Sequence, residues 1–194
     1  MSISLPICPC QINPASNANA IGVPLLYQDC CQPCHDGLLN NEADKIDGAK
    51  TDSAERLMRS RYSAFVLVKP NYIVKTTIPA QQKLLDMHAI ESWAKETDWA
   101  GLEIVVHTPK LGKRHAQVEF KAYFNMSDNT ADSLEEKRQA HHELSAFVKV
   151  TDKANNDARW YFLDPTVSMS VSQKQPCICG SGEKFKRCCG MYLG

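Results

Sequence analysis

Between Asp52 and Val66 the apolar positions recur at helical spacing. Ala54, Leu57, Met58, Tyr62, Phe65 and Val66 fall on one face, and charged side chains take most of the other. Asp52 stands three residues before Glu55, the spacing of a reciprocal helix cap. The same period returns in residues 84–99, "LLDMHAIESWAKETDW", through Leu84, Met87, Ile90 and Trp93, and predicts a second helix. After Gly101 the period drops to two. "LEIVV" begins a strand. In "AQVEFKAYFNM", Ala116, Val118, Phe120, Ala122, Phe124 and Met126 share one face, with polar groups and Tyr123 on the other. "HHELSAFVKV" alternates again, and "ARWYFLDP" and "TVSMSV" are shorter strand candidates. The polar, acidic segment 127–137 reads as a loop between strands. Helices followed by a run of antiparallel strands predict an α+β domain. Two stretches read as linkers: 36–51, rich in Asn, Asp and Gly, and 164–176, punctuated by Pro165 and Pro176. The chain therefore divides into residues 1–36, 37–170 and 171–194.

Composition narrows the class. The hydrophobic content of 43% and charged content of 23% over 194 residues are ordinary for a soluble globular protein. Basic and acidic residues balance at 22 each, so no global attraction to nucleic acid or to an anionic membrane is expected, although a local patch remains open. No apolar run reaches the ~20 residues of a membrane span. The opening "MSISLPICPC" has no basic region ahead of an apolar one, so no secretory signal is expected. Those features point to the cytoplasm, where thiols stay reduced.

Nine cysteines in a reducing compartment read as metal ligands before disulfides. "CICGSGEKFKRCCG" carries Cys177 and Cys179 as one pair and Cys188 and Cys189 as the other. Four thiolates are a complete tetrahedral zinc set, and Gly180 and Gly182 allow the chain to turn tightly between the pairs. Lys184, Lys186 and Arg187 either offset the charge of a zinc tetrathiolate or present a basic surface to a partner. The N-terminal segment repeats the grammar: Cys8 and Cys10, a longer spacer, Tyr27, two residues, then Cys30 and Cys31. Phe185 occupies the place of Tyr27 at the other end, and each aromatic is expected under its site. Cys8, Cys10 and Cys30 are firm candidates. The fourth N-terminal ligand is Cys31, Cys34 or His35, all chemically competent. Two zinc ions per chain are expected. If each end folds only around its metal, chelation should disorder the ends while the middle unfolds by itself.

"CICGSGEKFKRCCG" resembles the SEC-C motif, the zinc knuckle at the tail of the bacterial preprotein-translocation ATPase. With an N-terminal copy and the stretches "LMRSRYSAFV" and "WYFLDP" between them, the chain resembles the bacterial YchJ-like family of uncharacterised proteins. That resemblance implies a central domain of the cone-shaped type, a curved antiparallel sheet wrapped on one long helix, as in nuclear transport factor two and cystatin-like relatives. It also implies a protein partner of the chaperone or translocation kind, with nucleic acid as a second possibility. It leaves the oligomeric state open.

The middle domain carries its own candidates. Arg61 falls within the apolar arc of its helix, whereas Arg56 and Arg59 fall outside it. A buried arginine is costly unless paired, so Arg61 either meets a carboxylate such as Glu143 or faces a polar ligand inside the cone. His141, Glu143, Ser145 and Phe147 share one strand face, where His with Glu could transfer protons or stand in solvent. Arg159, Trp160 and Tyr161 either stack on a base or feed the core. No phosphate-binding glycine loop and no nucleophile motif is present. Two functions survive: a zinc-knuckle adaptor without enzymatic activity, and a protein that binds or acts on a small molecule through Arg61 and Glu143. A deep pocket favours the second, a filled core the first.

Overall fold

The computed structural model describes residues 6–15, 23–39, 51–126, 137–151 and 157–193. Most of the expected loop at 127–137 and most of the 36–51 linker lie outside the described residues. Among the described residues five α-helices precede four strands: α1 (Gln32–Leu39), α2 (Ala54–Val66), α3 (Pro70–Thr76), α4 (Pro79–Gln82), α5 (Met87–Glu96), then β1 (Asp98–Leu111), β2 (His115–Met126), β3 (Lys137–Thr151) and β4 (Ala158–Leu163). The strands form one antiparallel sheet in the order β1-β2-β3-β4, each pairing with the next in the chain. Register shifts in β1 after Trp99, Ile104 and Thr108 bend that edge of the sheet.

Local chemistry explains the ends of the elements. The cap of α2 is Ser53, one residue past the expected Asp52, and its hydroxyl accepts from Arg56 N–H at 3.1 Å. Asp86 caps α5 through its carboxylate, which accepts from the N–H groups of His88 and Ala89. Proline opens α3 and α4, at Pro70 and Pro79, where no amide hydrogen is required. The candidate strand "TVSMSV" is irregular, and β1 starts before Gly101, at Asp98.

Alternation sets the core. Ala116, Val118, Phe120 and Ala122 turn one face of β2 inward, and Leu57, Met58 and Tyr62 of α2 meet it. Cys8, Cys10, Cys30 and Cys31 belong to that same buried cluster. Leu102 N–H donates to Ile12 O at 2.7 Å, so the N-terminal segment joins β1. Gly101 permits the close approach: its φ is +138°, and a Cβ there would sit 2.6 Å from Ile12 O. The C-terminal cysteines share a second cluster with Ile78, Ala146, Val148 and Leu163. Both ends are thus packed on the central domain. Trp160 packs against the first cluster and Tyr161 against the second, as core-feeding residues would.

Candidate metal centres and central pocket

The two ends build the same local structure. Tyr27–Asp29 and Phe185–Arg187 each form one turn of 3₁₀ helix, which places the next two cysteines. Cys30 and Cys188 adopt similar unusual backbones, φ −117°, ψ −100° and φ −134°, ψ −117°. Cys31 is therefore the counterpart of Cys189. Gly180 and Gly182 have positive φ, 71° and 81°, as their places in the tight loop require. Phe185 is buried beneath its site, and Tyr27 is half-buried against the other.

The donor sets fit zinc. A tetrahedron with ~2.3 Å zinc–sulfur bonds has sulfur–sulfur edges of roughly 3.8 Å. Cys10 Sγ lies 3.6 Å from the sulfurs of Cys8, Cys30 and Cys31, and Cys30 lies 3.9 Å from Cys31. Cys179 Sγ lies 3.5 Å from those of Cys177 and Cys188. In each cluster all four sulfurs fall within 4.8 Å of one another and all four residues are buried. Crowded thiols share protons unevenly. Hydrogen bonding from Cys10 and Cys31 holds Cys8 below the usual thiol range, and hydrogen bonding to Cys10 drives Cys31 above it. At the other end hydrogen bonding from Cys189 lowers Cys179 to about 4, and burial pushes Cys188 up to about 11. All four could be thiolates together only around a cation, and a divalent ion that prefers sulfur would supply it.

Cys34 and His35 stand apart from the N-terminal cluster. Cys34 packs with Ala64, Tyr72 and Ile73, and burial raises its pKa. His35 donates from Nε2 to Ser60 O at 2.9 Å, because a carbonyl can only accept, and its Nδ1 accepts from the Tyr27 hydroxyl at 2.8 Å. Burial lowers His35 to about 4, which keeps this ring neutral. Its place is structural: it ties α1 to α2.

Further side chains at the two centres escaped the sequence reading, among them Arg56, Arg59 and His115. Arg56 Nη1 donates to Cys30 Sγ at 3.3 Å, and Arg59 Nη1 donates to Cys10 O at 3.2 Å. These arginines lie outside the apolar arc of α2, on a flank that the N-terminal cysteine segment covers. His115 of β2 directs Nε2 at Cys189 Sγ, 3.5 Å away, and its ring lies 4.8 Å from that of Tyr192. Lys184, Lys186 and Arg187 are exposed, and among the described residues none of them hydrogen-bonds a sulfur.

Between α2, α5 and the concave face of the sheet lies a pocket of about 800 Å³. Tyr62, Phe65, Trp93, Trp99, Phe120 and Phe162 supply aromatic wall. Arg61, His141, Glu143, Ser145 and Asp164 supply the polar part. Arg61 is 5% exposed and lies with its guanidinium carbon 4.4 Å from the Phe162 ring centroid. Nη1 donates to Ile73 O at 2.8 Å, Thr76 Oγ1 at 2.7 Å and Thr77 Oγ1 at 3.3 Å. Among the described residues no carboxylate ion-pairs with it, so the expected Arg61–Glu143 bridge is absent. Burial lowers its pKa to about 10, against the pull of Asp164, Tyr72 and Glu143, so it remains a cation at neutral pH. Glu143 instead accepts from Ser145 Oγ at 2.5 Å and meets His141 Nε2 at 3.0 Å.

Arg61→Met strands no carboxylate. The loss expected is therefore about 1–3 kcal/mol, the cost of three oxygens losing a donor, and below the ~3–5 kcal/mol of a broken buried ion pair. Urea denaturation of the zinc-loaded variant measures it.

Comparison with known proteins agrees with this architecture. Residues 53–165 match the family described as "YchJ, middle NTF2-like domain", residues 1–39 match "YchJ family protein, N-terminal zinc binding domain", and residues 174–190 match "SEC-C motif". The chain belongs to the YchJ family. A UPF0225 protein from Actinobacillus succinogenes is 43% identical over 189 residues, covering 96% of this chain and 98% of that one. A UPF0225 protein from Haemophilus influenzae is 44% identical over 192 residues, covering 99% and 96%. The crystal structure of a SEC-C motif containing protein from Psychrobacter arcticus, 72% identical, superposes with a TM-score of 0.83 over 98% of both chains. A SEC-C motif containing protein from Rhodopseudomonas palustris, 32% identical, gives 0.53 over 74% of this chain and 92% of that one. The YchJ chain therefore has the NTF2-like central fold and two zinc-fitting clusters of four cysteines each. Among its described residues no helix is long and apolar enough to cross a membrane.

Proposed function

We propose that this YchJ protein is a zinc-stabilised small-molecule-binding protein, with the central cone as its binding site. One observation carries the reading: the cone is hollow, with a pocket of about 800 Å³ between α2, α5 and the sheet. That size lies in the roughly 300–1,000 Å³ range of sites for small ligands. The wall has the matching chemistry, aromatic surface with a few convergent polar groups. In this reading the metal centres brace α2 and the sheet from outside the pocket and take no part in chemistry, since four thiolates leave zinc no open position. Arg56, Arg59 and His115 orient or neutralise the sulfurs from outside. The adaptor role ranks second, because the filled core that would favour it is not what the cone contains.

Calorimetric titration with a neutral probe, 2-naphthol, tests this. The expected result is one probe per zinc-loaded chain. Ala122, buried on the pocket face of β2, provides the control: Ala122→Trp fills the space and should weaken binding at least tenfold while both zinc ions stay bound. Absence of binding by 2-naphthol and by its carboxylate-bearing analogues alike, or binding indifferent to Ala122→Trp, sinks the reading.

A further inference from the structure

The pocket has two polar ends that do not satisfy each other, and this specifies its occupant. At one end stands Arg61. All of its described hydrogen bonds begin at Nη1 and end on neutral oxygens, which leaves Nε and Nη2 for whatever enters. A purely apolar occupant would strip those donors of water and return nothing. An anionic group suits them best, because a carboxylate can take two guanidinium donors at once.

At the other end the acceptors lie on β3. Asp86 and Asp164 also line the pocket, but each is engaged locally. Asp86 Oδ1 holds the start of α5, and Asp164 Oδ1 accepts from Thr166 N–H and hydroxyl at 2.9 and 2.6 Å. Glu143 differs. Its partners, Ser145 and His141, are side chains lining the same pocket rather than backbone N–H groups that fix a cap or turn, and a carboxylate oxygen has room for a further donor. When His141 donates from Nε2 to Glu143, its Nδ1 becomes an acceptor too. β3 thus offers acceptors to the same aromatic-walled pocket in which Arg61 offers donors.

We infer that the cone, read as a small-molecule site, takes a flat aromatic acid that carries a hydrogen-bond donor away from its carboxylate, with the carboxylate on Arg61 and the donor on Glu143 and His141. Hydroxyaryl and aminoaryl carboxylic acids are the class.

Three probes separate the two ends: 6-hydroxy-2-naphthoate, 2-naphthoate without the hydroxyl, and 2-naphthol without the carboxylate. Titrated into the zinc-loaded full chain, the hydroxy acid should bind at least tenfold tighter than either of the others. Arg61→Met should erase its advantage over 2-naphthol. Glu143→Met should erase its advantage over 2-naphthoate. Equal binding of all three probes to the wild type overturns the inference and leaves the pocket itself intact. Failure of all three probes to bind overturns the pocket and the inference together. The wild-type comparison decides the matter even if Arg61→Met folds poorly.

Discussion

Cys10→Ser is expected to unfold most of the molecule. Cys10 sits at the centre of the N-terminal cluster, 3.6 Å from each of the other three sulfurs. Its replacement removes a thiolate that serine cannot match for zinc. The cluster shares one buried core with Leu57, Met58, Tyr62 and Phe120, so the loss does not stay local. Zinc binding in small thiolate sites is worth roughly 10–16 kcal/mol of folding free energy, against a total of about 5–15 kcal/mol for a whole domain. A fall of more than about 5 kcal/mol is expected on that comparison. Urea denaturation followed by circular dichroism reads it. A variant that keeps wild-type stability while lacking one zinc would show that the segment is dispensable to the core.

Cys188→Ser should have the next largest effect, and a different one. It removes the C-terminal zinc, as metal analysis would show by a fall from two ions to one. The second cluster packs on Ile78, Ala146, Val148 and Leu163, residues at the α4 end of the sheet and on the face of β3 opposite Phe147. The C-terminal knuckle should come away from His115 and lose order. The α2–β2 core should stay folded, because its cluster does not include these sulfurs. Retention of both ions after Cys188→Ser would contradict the assignment of this site. Global unfolding equal to that of Cys10→Ser would contradict the asymmetry.

The two ends were not equally legible in the sequence. The C-terminal cysteines, their glycines and Phe185 could be read directly, because the loop is short and each spacing has one physical use. At the other end Cys31, Cys34 and His35 were chemically equivalent as a fourth ligand. The repeated 3₁₀ turn after the aromatic residue brings Cys31 in, and the sequence offered that only as a shared grammar. Periodicity located α2, α5, β2 and β3, since each presents one face to a core. It missed α1, whose last residues, 36–39, read as linker, and α3 and α4; all three are short, and α3 and α4 begin at proline for backbone reasons. Arg56 and Arg59 looked like solvent-facing residues. Nothing local to α2 says that a segment from the start of the chain will lie over them. The same limit applied to Arg61. Its place on the buried arc was visible, but its partners are Thr76 of α3 and the adjoining Thr77, so the pairing with Glu143 was the natural expectation and not the outcome.

In the proposed reading the N-terminal zinc centre braces the helix that walls the pocket: α2 carries Arg56 to the sulfurs on one side and Met58, Arg61, Tyr62 and Phe65 to the pocket on the other. Hydrogen–deuterium exchange of the zinc-loaded and chelated protein, read by mass spectrometry, tests this most directly. Chelation should strip protection from α2 and β2 together with residues 6–15 and 23–36. Unchanged protection in α2 and β2, with exchange confined to the two ends, would contradict it.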